Sequence, residues 1–164
     1  MKKVYKYKEN RNLRTGEVYK FWIIKKLKFP GGIDYFVMQD PYGDKHLLPA
    51  RYYEHYNIQI QQYYYCRVDK VNCQGRLFFE PVHPTFQVGN SYLFGFKKMA
   101  VLVSKNRSLT QYFLMKNENG ESAYLPFDTL KRPQKGKFEL YTVVKIKKAK
   151  IFLQKNEDFN TNQI

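Results

Sequence analysis

Apolar and polar residues alternate along this chain in short runs, and no segment carries a sustained apolar stripe at helical spacing. The runs are rich in Tyr, Phe, Ile and Val, the side chains that suit a pleated surface. The pattern predicts a long first strand over 17–28, broken by Pro30-Gly31-Gly32. A second strand over 34–39 meets a turn at Asp40-Pro41-Tyr42-Gly43, and a third covers 44–48. Pro49 ends it, and 50–58 reads as a loop or one or two helical turns. A fourth strand over 60–71, a hairpin turn from Asn72 to Gly75 and a fifth strand over 76–80 follow. The same succession then returns at 91–103, 111–116, 121–125, 138–147 and 150–154, with a strong hairpin signal at Asn117-Glu118-Asn119-Gly120.

The return is visible in the residues as well as in the pattern. Segments 34–49 and 111–126 align without gaps, and six of sixteen positions are identical: Tyr35/Tyr112, Phe36/Phe113, Met38/Met115, Gly43/Gly120, Leu48/Leu125 and Pro49/Pro126. Upstream, Gly16 and Tyr19-Lys20-Phe21 answer Gly89 and Tyr92-Leu93-Phe94; downstream, Arg76-Leu77-Phe78-Phe79 answers Lys150-Ile151-Phe152-Leu153. The offset drifts from 73 to 77 and back to 74, as it does when only loops change length. The expected organisation is a basic N-terminal arm over 1–15, one repeat over 16–82, a second over 88–155 and a tail over 156–164. The stretch Glu80-Pro81-Val82-His83-Pro84 is a short, stiff join.

Three strands, a connector and two more strands, with the first strand longest, is the order of a five-stranded Greek-key barrel. Closing the sheet also removes its edges. An SH3-like barrel is the rival, but its order does not put the longest non-strand segment between the third and fourth strands. The expected fold class is therefore all-β, with two tandem five-stranded OB-type Greek-key barrels.

Tyr35-Phe36-Val37-Met38, the Gly43 turn, Leu47-Leu48-Pro49 and a short connector resemble the RNA-binding repeat named for ribosomal protein S-one. The related cold-shock domain shares that barrel. Cys66-Arg67-Val68-Asp69-Lys70-Val71, leading to Gly75 and Arg76-Leu77-Phe78-Phe79-Glu80-Pro81, resembles its closing hairpin. The chain departs from the family at the Gly before its Phe, where Tyr35 and Tyr112 stand. The family's His after the third strand has His46 as a loose counterpart in one copy and Ala123 in the other. The resemblance implies binding on the face of the second and third strands, where unpaired bases stack on rings and Lys and Arg track phosphates. It places Phe36 and Phe113 as the exposed rings. Strand alternation leaves open which of Tyr35 and Phe36, or Tyr112 and Phe113, faces the core. Tyr124 faces outward if Leu125 points inward.

Charge agrees with that direction. The chain of 164 residues has 29 Lys and Arg against 14 Asp and Glu, a formal net charge of +15. The excess is spread over both halves, which points to a polyanionic partner. The 29 aromatic residues (15 Tyr, 13 Phe and 1 Trp) supply both a core and rings to spare. The candidate interface comprises Tyr35, Phe36, Lys45, His46, Arg51, Tyr112, Phe113, Lys116, Tyr124, Lys131 and Arg132. The tyrosines at 52, 53, 56, 63, 64 and 65 form a second dense group, about half of which are expected to pack the connector against the barrel.

Nothing points to catalysis. There is no nucleophile elbow, phosphate-cradling Gly-Lys-Ser/Thr loop or zinc-protease helix, and His46, His55 and His83 sit in unrelated contexts. Cys66 and Cys73 match no zinc spacing, and no cofactor or metal is expected. No apolar run is long enough for a membrane-spanning helix, and no apolar stretch follows Met1-Lys2-Lys3, so a cytoplasmic protein is expected. The expected function is non-catalytic binding of single-stranded RNA or DNA. The alternative is an adaptor docking an acidic protein or a ribosomal surface. Exposed rings beside Lys and Arg on the second and third strands favour the first; buried rings favour the second.

Overall fold

The computed structural model describes residues 12–156. It is all-β and divides after Pro84 into two compact units. The first unit contains β1 (Val18–Phe29), β2 (Ile33–Gln39), β3 (Lys45–Pro49), β4 (Gln62–Val71) and β5 (Leu77–Pro81). The second contains β6 (Ser91–Val103), β7 (Leu109–Lys116), β8 (Ser122–Pro126), β9 (Phe138–Lys147) and β10 (Lys150–Lys155). All ten strands expected from the alternation are present, displaced at their ends by two residues at most. The connector 50–58 forms two short 3-10 turns, Ala50–Tyr52 and Glu54–Tyr56. Most of the basic arm and all but the first residue of the tail lie outside the described residues.

Each unit is one five-stranded sheet organised by its long first strand. In the first unit the order is β3-β2-β1-β4-β5. The early half of β1 pairs with β4 (Val18 opposite Arg67 to Ile23 opposite Gln62), and the later half with β2 (Trp22 opposite Gln39 to Phe29 opposite Ile33). A bulge between Ile23 and Lys25 bends β1 from one partner toward the other. The second unit repeats this with β6, β9 and β7, bulged between Phe96 and Lys98. There the sheet goes further. β8 runs parallel to β10, with Ala123 opposite Ile151 and Tyr124 opposite Phe152, and the order β10-β8-β7-β6-β9 closes into a ring. No ladder joins β3 to β5 in the first unit.

Alternation sets the cores. Phe94, Phe113, Met115, Ala123, Val143 and Ile151 point inward in the second unit and are essentially out of solvent. Phe21, Ile23, Met38, Leu48, Cys66 and Val68 do so in the first. Each large apolar side chain buried this way stabilises its unit by about 1.5–3 kcal/mol. The repeat also extends a few residues upstream of its expected start. Leu13 and Phe86 are both buried. The backbone N–H groups of Arg14 and Gln87 donate to the Tyr19 and Tyr92 hydroxyls, each at 3.0 Å. Gly16 and Gly89, at φ of 89° and 92°, donate to Val68 O and Val143 O, each at 2.8 Å. That positive φ is where glycine costs least.

The connector of the first unit is packed down by two of its tyrosines. Tyr53 and Tyr56 are buried, and the Tyr53 hydroxyl donates to Glu80 Oε2 at 3.0 Å. Tyr52 and Tyr64 are half-buried, whereas Tyr63 and Tyr65 stand exposed on β4. Burial raises the Tyr53 phenol and the Cys66 thiol, with Glu80 adding to both, and pushes Tyr64 up to about 12. In the second unit burial, then Glu139, pushes Tyr141 up to about 12. The tyrosines are neutral when protonated, and in the unfolded chain they ionise near pH ~10. Their contribution to stability is thus complete below that pH and is lost as pH rises through the folded values. Melting temperature is expected to fall from about pH 10 upward, together with the appearance of tyrosinate absorbance. A melting temperature unchanged up to about pH 12 would contradict this packing.

Candidate nucleic-acid interface

On β7 the inward residues are Phe113 and Met115, so Tyr112, Leu114 and Lys116 face outward. On β8, Ala123 and Leu125 are inward and Tyr124 outward; on β10, Ile151 and Leu153 are inward and Phe152 outward. The closing pair of strands therefore brings three half-buried rings together on the outside. Ring centroids are 6.0 Å apart for Tyr112 and Tyr124, 5.8 Å for Tyr112 and Phe152, and 5.9 Å for Tyr124 and Phe152. Lys145, directly opposite Phe152 on β9, carries its ammonium 6.0 Å from that ring. Lys116 reaches back to Gly120 O at 2.8 Å, which fixes its charge at the β7–β8 turn. A patch of aromatic faces with an ammonium group beside it suits a single strand, whose bases stack and whose phosphates need cations.

The first unit carries a sparser version of this face. Tyr35 is half-buried against Phe29 at 5.3 Å, and Leu47 stands where the second unit has Tyr124. Phe78, the counterpart of Phe152, has the Lys70 ammonium 5.0 Å and the Arg76 guanidinium 5.3 Å from its centroid.

Three expected binding residues need correction. Phe36 and Phe113 are buried, at 8% and 0% exposure, so neither offers a ring to a ligand. They alternate with Tyr35 and Tyr112, and the inner face of each sheet takes the phenylalanines because a phenol keeps its hydroxyl in water more cheaply. His46 also turns inward. Its Nε2 lies 2.8 Å from Asp40 Oδ2, and its ring packs on Phe21 and Phe79 at 6.1 and 4.9 Å. Asp40 Oδ1 meanwhile accepts from the N–H groups of Tyr42 and Asp44, at 2.9 and 3.0 Å. That histidine ties β3 to the turn before it. In the second unit Asn117 and Ala123 replace the pair; Asn117 Oδ1 accepts from Glu121 N–H at 2.8 Å, and Asn117 Nδ2 donates to Glu121 Oε2 at 2.7 Å.

The remaining basic residues lie apart. Lys45 is exposed at the start of β3. Arg51 lies along the Tyr52 ring at 4.7 Å and donates to its hydroxyl. Lys131 lines a cleft of about 1040 Å³ with Phe127 and Lys155, while Arg132 sits 5.7 Å from the Phe96 ring. The structure thus brings together Tyr112 and Tyr124, leaves Lys116 on the same strand face but tied to the turn, and adds Phe152 and Lys145, which the sequence reading missed. The inward pair Ile151 and Leu153 was the available signal for Phe152, but its neighbours depend on strand pairing.

Cys66 is buried and Cys73 exposed, both as free thiols. Among the described residues no three His, Cys, Asp or Glu side chains converge in a way that holds a metal. Comparison with protein-family models and with curated proteins finds no match to this chain.

Removing the Asp40 carboxylate strands two backbone donors and His46 at once. Asp40→Ala is expected to lower the unfolding free energy of the first unit by about 2–4 kcal/mol in urea titrations. A loss within the scatter of the measurement would show that the turn holds without it.

Proposed function

We propose that this protein is a non-catalytic binder of single-stranded nucleic acid, RNA foremost, acting through the outer faces of two OB-type barrels. The observation that carries the reading is the outward cluster of Tyr112, Tyr124 and Phe152 beside Lys145. The barrel assignment is supported by a first strand shared between two ladders, a three-strand meander and a parallel third-to-fifth pairing in the second unit. The net charge of +15 supports the choice of a polyanion.

The energetics are adequate. Each base stacked on a ring is worth about 1–3 kcal/mol by alanine substitution. If about six phosphates are neutralised, the logarithm of affinity falls against that of salt with a slope near −4 on a single strand. Two such units on one chain raise overall affinity through effective concentration, without either being strong alone.

Fluorescence anisotropy of labelled oligouridylate and oligothymidylate against salt tests this reading. Wild-type protein is expected to bind at low salt with that slope. A Tyr124→Ala, Phe152→Ala variant that keeps its fold is expected to bind about 10- to 100-fold more weakly. Absence of binding at low salt would overturn the reading and favour a protein adaptor. The outward apolar residues Leu93, Phe138 and Leu140, all about half exposed on β6 and β9, would then be the contact to pursue.

A further inference from the structure

On the outer face of the first unit, β1 and β4 set Trp22 directly opposite Tyr63, and Lys20 opposite Tyr65. The Trp22 and Tyr63 rings meet with centroids 4.8 Å apart and planes inclined at 66°. The Lys20 ammonium lies 4.4 Å from the Tyr63 centroid. Together with Gln39, Asp40 and Pro41 these three residues line an open cleft of about 370 Å³. Tyr63 and Tyr65 are 57% and 53% exposed, which is a large aromatic surface to leave in water on a sheet face.

We propose that this corner is a second base-binding site, which takes one nucleobase of a single strand against the indole of Trp22 and the adjoining phosphate on Lys20. The inference rests on the proposed function but uses a different strand pair from the Tyr112, Tyr124 and Phe152 face. Two rings at 66° form a corner in which a flat heterocycle lies on one wall and turns its edge to the other. The cation is available: among the described residues the Lys20 ammonium has no carboxylate partner. The one acid on the lining is turned away, since the Asp40 side chain is fully out of solvent and bonded to His46, Tyr42 and Asp44. Gln39 is held in place by its Nε2 donating to Gly43 O at 3.0 Å, so the wall it forms is preset.

The second copy of the repeat shows that sheet stability does not demand such a corner. There Lys20, Trp22, Tyr63 and Tyr65 are replaced by Leu93, Gly95, Phe138 and Leu140. The Phe138 ring lies so close over Gly95 that any side chain there would meet it at 3.2 Å. Both copies keep the inward phenylalanine between these positions, Phe21 and Phe94, fully buried. The interior is retained, while the outer face is aromatic and cationic in one unit and apolar in the other.

Trp22 is the single tryptophan of the chain, so its fluorescence reports on this corner alone. The full chain is titrated with labelled oligouridylate and oligothymidylate, and tryptophan emission and anisotropy are recorded together. Quenching is expected to follow the same isotherm as anisotropy. It is expected to vanish in a Tyr63→Ala, Lys20→Gln variant, whose affinity falls about tenfold, and to persist in the Tyr124→Ala, Phe152→Ala variant. Lys20→Gln alone, a surface change that leaves the rings intact, is expected to weaken binding and reduce the salt slope by about 1. Binding without quenching, or quenching and affinity unchanged in both Lys20 variants, would overturn this site and leave the other face standing. Neither binding nor quenching at low salt would overturn both.

Discussion

Two residue pairs close the second sheet: Ala123 with Ile151, and Tyr124 with Phe152. Because neighbours on a strand point to opposite sides, this short parallel ladder does two things at once. It seals the interior with the first pair, both essentially out of solvent, and sets the second pair side by side on the outside. The aromatic cluster is thus a consequence of ring closure. Without the seam, Phe152 and Tyr124 would lie on separate sheet edges.

The first unit shows what changes when that seam is built from larger groups. His46 stands where the second unit has Ala123, and Phe79 where it has Leu153. The two rings pack edge to face at 4.9 Å inside the sheet, and no ladder joins β3 to β5. His46 is then held by Asp40, whose counterpart is Asn117. The acid and the histidine appear together in one copy and are replaced together in the other, as expected of a bonded pair. This copy keeps Phe78 between two cations and displays Trp22 and Tyr63 on its β1–β4 face. The two interiors are thus alike while the two exteriors differ.

The ten strands were legible in the sequence because alternation, Pro-Gly breaks and Asn-Gly turns are local signals. The repeat was legible because Phe36, Met38 and Leu48 recur at Phe113, Met115 and Leu125, and all six of them turn out to be core. Which face of a strand is inward was not legible where both neighbours are aromatic. At Tyr35-Phe36 and Tyr112-Phe113 the period of two is satisfied either way, and resemblance pointed the phenylalanines outward when they belong inside. Phe152 and the Trp22–Tyr63 corner escaped notice for another reason. Their significance lies in cross-strand register, which sets Trp22 opposite Tyr63 and Phe152 opposite Tyr124, and no local pattern announces which strands will pair.

The central claim is that bases stack on the outward rings of the closed second sheet, and photo-cross-linking tests it most directly. An oligouridylate containing 4-thiouridine is irradiated on the full chain, and the modified residues are located by peptide mass spectrometry. The account predicts adducts at Tyr112, Tyr124 or Phe152, suppressed by excess unlabelled strand. Efficient cross-linking confined to other surfaces, with these three residues unmodified, would contradict it.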